Sequence, residues 1–130
     1  MIYVDTSVAL AHLLAEDRQP PANLWQHPLT SSRLLEYEVW TRLHARRLAQ
    51  SHGEAARELL GRLSFLEVTP QVVARALEPF PSPVRTLDAL HLASIEFLRQ
   101  RRIEVQLATF DEPMKRTAKK LGIGIFSGAS

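Results

Sequence analysis

Cysteine is absent from the 130 residues, which excludes disulfides and thiolate-held metal centres. A chain without thiols suits a reducing cytosol, so a cytoplasmic location is the expectation. Long apolar runs are missing too. The opening "MIYVDTSVALAHLLAED" has no basic residue ahead of its apolar stretch, and Asp5 interrupts it early; neither a signal peptide nor a membrane span is expected. Net charge is slight, +2 from 16 basic and 14 acidic residues, too little to mark a nucleic-acid binder. Aromatic residues make up only 7%, and Trp25, Tyr37 and Trp40 are assigned to packing rather than to stacking on bases. Aspartate is scarce as well, with four residues (5, 17, 88 and 111) against ten glutamates.

What is present is ordinary for one soluble domain spanning 1–130: 45% hydrophobic and 23% charged residues. Thirteen of the 16 basic residues are arginine, grouped at Arg42/Arg46/Arg47 and Arg99/Arg101/Arg102. Arginine suits bidentate phosphate contact, though solvated helix faces use it equally well.

"MIYVD" reads as a buried strand, followed by a helix over about Thr6 to Ala15. A short helix toward His27 precedes the extended "PLTSS", with Ser32 as an N-cap. Leu34, Leu35, Val39, Leu43 and Leu48 recur at helical spacing, predicting one helix from Arg33 to about Ala49 that Gly53 separates from the next. "SFLEV" is a second strand, and Thr69 caps a helix with Pro70 at its first position, where proline is welcome. Beyond the "PFPSP" loop, Thr86 is the expected cap of a helix running to about Gln100. "EVQLATF" is a strand, "EPMKRTAKKLG" a helix ended by Gly122, "IGIF" a last strand and "SGAS" a frayed end.

Strands alternating with helices predict an α/β fold: a short, mostly parallel sheet of four to five strands flanked by helices. Functional groups in such sheets collect beyond the carboxyl ends of the strands. Asp5 ends the first strand, Asp111 follows "EVQLATF", and Asp88 sits in the first turn of a helix starting near the same edge. Converging carboxylates repel, by about 4 kcal/mol for a pair ~4 Å apart at an effective dielectric near 20. They must protonate, pair with basic groups, or hold a hard cation such as Mg²⁺ or Mn²⁺. Glu38, mid-helix in "SSRLLEYEVWTRL", is a fourth acidic candidate. Singly, each has a plain explanation: Asp5 and Asp111 as N-caps, Asp88 as a helix-dipole partner, Glu38 as a solvated residue.

Four motifs, in order, resemble PIN domains, especially VapC-type toxin ribonucleases of type II toxin–antitoxin systems. They are "MIYVDTSVALAHL", "LTSSRLLEYEVWTRL", "RTLDALHLAS" and "LATFDEPMKRTAKKLGI". The resemblance implies a PIN-like fold and a Mg²⁺- or Mn²⁺-dependent endoribonuclease that cleaves RNA by metal-activated water, leaving a 5′-phosphate and a 3′-hydroxyl. It carries over Asp5, Glu38, Asp88 and Asp111 as the acidic site. Asp5 and Asp88 are expected as direct ligands; Glu38 and Asp111 bind directly or through water. Thr6 or Ser7 is expected to bond a ligand carboxylate or a metal water, and Thr109 to do so for Asp111. A VapB-like antitoxin, a homodimer within a larger assembly, and operator DNA contacted only through the antitoxin are further implications; no membrane is involved. One departure stands out: Trp40 and Thr41 follow the second acidic motif, and Arg42 comes four residues after Glu38, either a substrate anchor or an ion-pair partner.

A non-catalytic PIN module binding RNA or an antitoxin is the alternative; four filled acidic positions argue against it. A haloacid-dehalogenase-like phosphatase would need a second Asp where Ser7 stands. His91, one turn past Asp88, is assigned to packing and left out of the site.

Overall fold

The computed structural model describes residues 1–128. Five strands, β1 (Ile2–Val4), β2 (Leu29–Ser32), β3 (Leu63–Leu66), β4 (Gln106–Ala108) and β5 (Gly124–Ile125), pair in the order β3-β2-β1-β4-β5. Every pairing is parallel. The helices are α1 (Thr6–Leu13), α2 (Arg33–Ala45), α3 (Ala49–Leu60), α4 (Pro70–Ala76), α5 (Thr86–Gln100) and α6 (Glu112–Lys120), with a 3₁₀ turn at Ala22–Gln26. The expected α/β class, parallel sheet and strand count are all found.

Both faces of the sheet are covered, because alternate β1 residues feed two cores. Ile2 and Val4 pack with Val8, Leu35, Leu43 and Leu59 on one side. Tyr3 points the other way, among Leu92, Ile95, Leu107 and Met114. The strand order has a direct consequence. The chain moves outward from β1 to β2 and β3, then returns to place β4 on the other side of β1, so the connections reverse between β1 and β4. A crevice opens there, at the carboxyl ends, where α/β sheets bind ligands.

Local chemistry explains most element boundaries. Ser32 accepts a hydrogen bond from the Leu34 amide to cap α2, and Thr69 accepts one from Val72 to cap α4. Four boundaries differ from expectation. The first helix stops at Leu13 rather than Ala15, whose φ is +50°. The Arg33–Ala49 helix ends at Ala45, where Arg47 takes a left-handed φ of +57°. Gly53 does not separate helices; it lies inside α3, where a Cβ would meet the Trp40 ring edge at 3.5 Å. Thr86 is the first residue of α5, not its cap; Arg85 takes the cap position without a side-chain bond. The strands are also shorter than the apolar runs, and the last two residues of "SGAS" fall outside the described range.

Gly122 closes α6 at φ +79°, its amide bonded to Lys119 O at 3.0 Å. Gly122→Ala is expected to cost about 1 kcal/mol, since an L side chain resists that backbone region. Urea unfolding reads this as a lower midpoint; an unchanged midpoint would mean the turn relaxes without the left-handed residue.

Candidate active site

Asp5 leaves β1 at the reversal point, its amide donating to Ala108 O at 3.0 Å and tying it to β4. Its Oδ2 accepts from Ser7 Oγ at 2.6 Å and Thr109 Oγ1 at 2.8 Å, with a longer contact to the Ser7 amide at 3.4 Å. Of the three expected supporting hydroxyls, Ser7 and Thr109 meet here. Thr109 donates to Asp5, not to the Asp111 carboxylate; toward Asp111 it accepts the backbone amide at 2.9 Å. Thr6 serves Glu38 instead, donating to Oε1 at 2.9 Å.

Glu38 comes from α2, Asp88 from the first turn of α5, and Asp111 from the N-cap of α6. All four carboxylates line one cleft of about 730 Å³, with Arg18, Arg42 and Arg85 around them. A larger concavity, about 820 Å³, lies between α4 and α5, but its walls are mainly apolar, with Leu77, Phe80 and Leu90 against a single carboxylate, Glu78. The four carboxylates are gathered in the smaller cleft. Capping and cleft-lining are compatible: Asp111 Oδ1 accepts from the Met114 amide at 2.9 Å while Oδ2 accepts from Arg85, another residue of the cleft wall.

Charge is concentrated there. Burial, then the Asp111 and Asp5 carboxylates, hold Asp88 above the usual carboxylate range, and Arg85 partly offsets them. Arg85 bridges the pair, its Nε 3.2 Å from Asp88 Oδ2 and its Nη2 bonded to Asp111 Oδ2. Arg18 stacks over the Phe110 ring at 4.6 Å. Arg42 has no ion pair among the described residues, so the ion-pair reading of this residue has no support.

His91 is the residue that sequence reasoning missed. It is 1% exposed, with Nδ1 2.7 Å from Tyr3 OH and Nε2 2.7 Å from Glu38 Oε1. Burial works against the imidazolium, but the Glu38 bond and the Asp5, Glu38 and Asp88 charges outweigh it and raise the pKa. Whether neutral or charged, Nε2 donates to Glu38, because the carboxylate can only accept. The Tyr3 hydroxyl also receives the Ser32 amide at 3.2 Å, which anchors the chain Tyr3–His91–Glu38 to the end of β2. Helical spacing from Asp88 was the available signal; nothing local reveals Tyr3 or Glu38 as partners.

Among the described residues, no three His, Asp or Glu side chains form a ready metal cage. The donors nevertheless fit a hard cation. Asp5 Oδ1, Glu38 Oε2 and Asp88 Oδ1 accept no hydrogen bond among the described residues, while their companion oxygens are occupied. Mg²⁺ keeps several waters and commonly takes one or two carboxylates, so a closed cage is not required.

The chain belongs to the PIN domain family, whose pattern matches residues 2–120. Among its relatives, Ribonuclease VapC46 of Mycobacterium tuberculosis is 31% identical over 97% of this chain and 96% of its own length. Ribonuclease VapC47 of the same species is 29% identical over 94% and 93%. Two solved structures share the fold. A toxin–antitoxin complex from Klebsiella pneumoniae has a TM-score of 0.65 at 14% identity, covering 100% of this chain and 99% of that one. VapC20 of M. tuberculosis, a sarcin–ricin-loop-cleaving toxin, has a TM-score of 0.63 at 25% identity, covering 89% and 94%. No helix among the described residues is long and apolar enough to cross a membrane.

Proposed function

We propose that this protein is the ribonuclease toxin of a type II toxin–antitoxin pair, a Mg²⁺- or Mn²⁺-dependent endoribonuclease acting at Asp5, Glu38, Asp88 and Asp111. The observation that carries the reading is the convergence of these four side chains, from four separate elements, at the β1/β4 crevice. Membership of the PIN domain family, with VapC ribonucleases among the relatives, supports RNA as the substrate.

Asp5 and Asp88 each keep an oxygen without a hydrogen bond among the described residues and would be the direct metal ligands. A bound divalent ion would supply Lewis-acid activation of water and charge neutralisation at the scissile phosphate. Glu38 is held at Oε1 by Thr6 and His91, which leaves Oε2 to accept a hydrogen bond from the attacking water and orient it. Water attacks phosphorus as the P–O3′ bond breaks; the water gives up a proton to solvent and the leaving 3′-oxygen takes one from solvent, giving a 5′-phosphate and a 3′-hydroxyl. Asp111 holds its place through the Met114 amide and positions water from the α6 side. Arg42 and Arg18 flank the cleft as phosphate contacts. An antitoxin blocking the cleft, and a homodimeric toxin within a larger assembly, complete the proposal; the toxin–antitoxin complex among the structural neighbours fits such a partner.

The test is incubation of purified protein with total cellular RNA in Mg²⁺, in Mn²⁺ and in EDTA. Discrete fragments carrying 5′-phosphates, formed only with metal, are expected. Cleavage unaffected by EDTA would remove the metal from the reading; no cleavage of any RNA would make the protein a binding module.

A further inference from the structure

Arg85 is the one cleft guanidinium placed on the acidic groups themselves. Its side chain is 76% exposed, yet it reaches back over Asp88 and Asp111, whose side chains are 15% and 12% exposed. Arg42 and Arg18 line the same cleft without touching those two carboxylates. A long exposed side chain loses rotamer freedom when it is held this way. The compensation is that two neighbouring carboxylates, which would otherwise repel, share one fixed cation. If Asp88 is a metal ligand, as proposed for this cleft, a divalent ion and the Arg85 guanidinium would bring like charge to one carboxylate. The guanidinium holds Oδ2 and the ion would take the free Oδ1, so the two oppose each other through like charge rather than for one oxygen.

We propose that Arg85 is a tethered counter-cation of the acidic cleft: it pairs Asp88 with Asp111 when no metal is present, leaves them as a divalent ion binds, and then offers its freed guanidinium to an RNA phosphate at the cleft mouth. The side chain is anchored by its backbone at the start of α5, so once released it stays at the rim rather than diffusing away. Its planar fork matches a phosphate as well as it matches a carboxylate. Metal and substrate binding would thereby be linked, because Arg85 would be released to the phosphate only where a divalent ion takes its place on the carboxylates.

The proposal rests on the metal reading and makes two predictions of opposite sign for one substitution. In Arg85→Ala, Mn²⁺ binding, followed by loss of the free-ion electron paramagnetic resonance signal, should tighten about fivefold. At saturating Mn²⁺ the same variant should show a several-fold higher KM for RNA with a smaller change in kcat. Arg42→Ala is the control, since it removes equal charge from the same cleft but breaks no ion pair; its Mn²⁺ affinity should move less than about twofold. Arg85→Lys, which keeps the charge and loses the fork, should fall between wild type and Arg85→Ala. Equal tightening in Arg85→Ala and Arg42→Ala would reduce the effect to general electrostatics and overturn the proposal. Weaker Mn²⁺ binding in Arg85→Ala would also overturn it, by making Arg85 a support for the ligands rather than a competitor. If wild type and Arg85→Ala both fail to bind Mn²⁺, the metal reading itself fails and takes this proposal with it.

Discussion

Asp88→Asn is expected to lower metal-dependent RNA cleavage by on the order of 10³-fold, the several kcal/mol that a correctly held metal contributes. Asparagine preserves shape and one oxygen but lacks the charge that attracts a divalent ion. Stability should barely move, within about 1 kcal/mol, because two changes oppose each other. Repulsion with Asp111 and Asp5 is relieved, since both raise the Asp88 pKa. Against that, the substitution weakens an ion pair with an exposed arginine, and pairs of that kind are worth little. Fragment release per folded molecule, beside a thermal melt, separates the two effects. A variant that cleaves at the wild-type rate would remove Asp88 from the site; one that unfolds while its folded fraction stays fully active would make it a structural residue.

His91→Ala should combine the largest loss of stability with a loss of activity. It empties a buried position and takes one hydrogen-bond partner from each of two polar groups, the Tyr3 hydroxyl, which keeps the Ser32 amide, and the half-buried Glu38 carboxylate, which keeps Thr6. A cost of about 3 kcal/mol follows from two lost hydrogen bonds added to a cavity. Among the described residues Glu38 would keep only Thr6 as a hydrogen-bond donor, and loosening of this kind commonly costs ~10–100-fold in activity at metal sites. Tyr3→Phe separates stability from activity. It removes only the hydroxyl, leaves the His91–Glu38 bond in place, and should cost about 1 kcal/mol with a smaller loss of cleavage. If both variants lost stability to these degrees while cleavage per folded molecule held, His91 would be a core residue and nothing more.

The legible part of the fold is the part written in local chemistry. The caps Ser32 and Thr69, Pro70 at a helix start and Gly122 at a helix end each act within a few residues, so their patterns could be read directly. Expectation failed where a residue does something its type disfavours. Arg47 turns the chain with a left-handed φ, which no arginine advertises, while Gly53, a plausible breaker, sits inside a helix against Trp40. At Asp5 and Asp111 the plain and functional explanations were never exclusive. Asp111 caps with one oxygen and pairs with Arg85 through the other, and Asp5 engages Oδ2 while Oδ1 accepts no hydrogen bond among the described residues.

By itself, then, the sequence determined the α/β class, the acidic residues and the approximate ends of the elements. These depend on periodicity and on interactions within a few positions. Tertiary structure decided the rest. The return of β4 to the far side of β1 creates the crevice, a matter of strand order rather than of any local pattern. It also delivers His91 to Tyr3 across 88 positions and to Glu38 across 53, and Arg85 to Asp111 across 26. Local propensity carries no information about such separations; the packing of α5 against the sheet does.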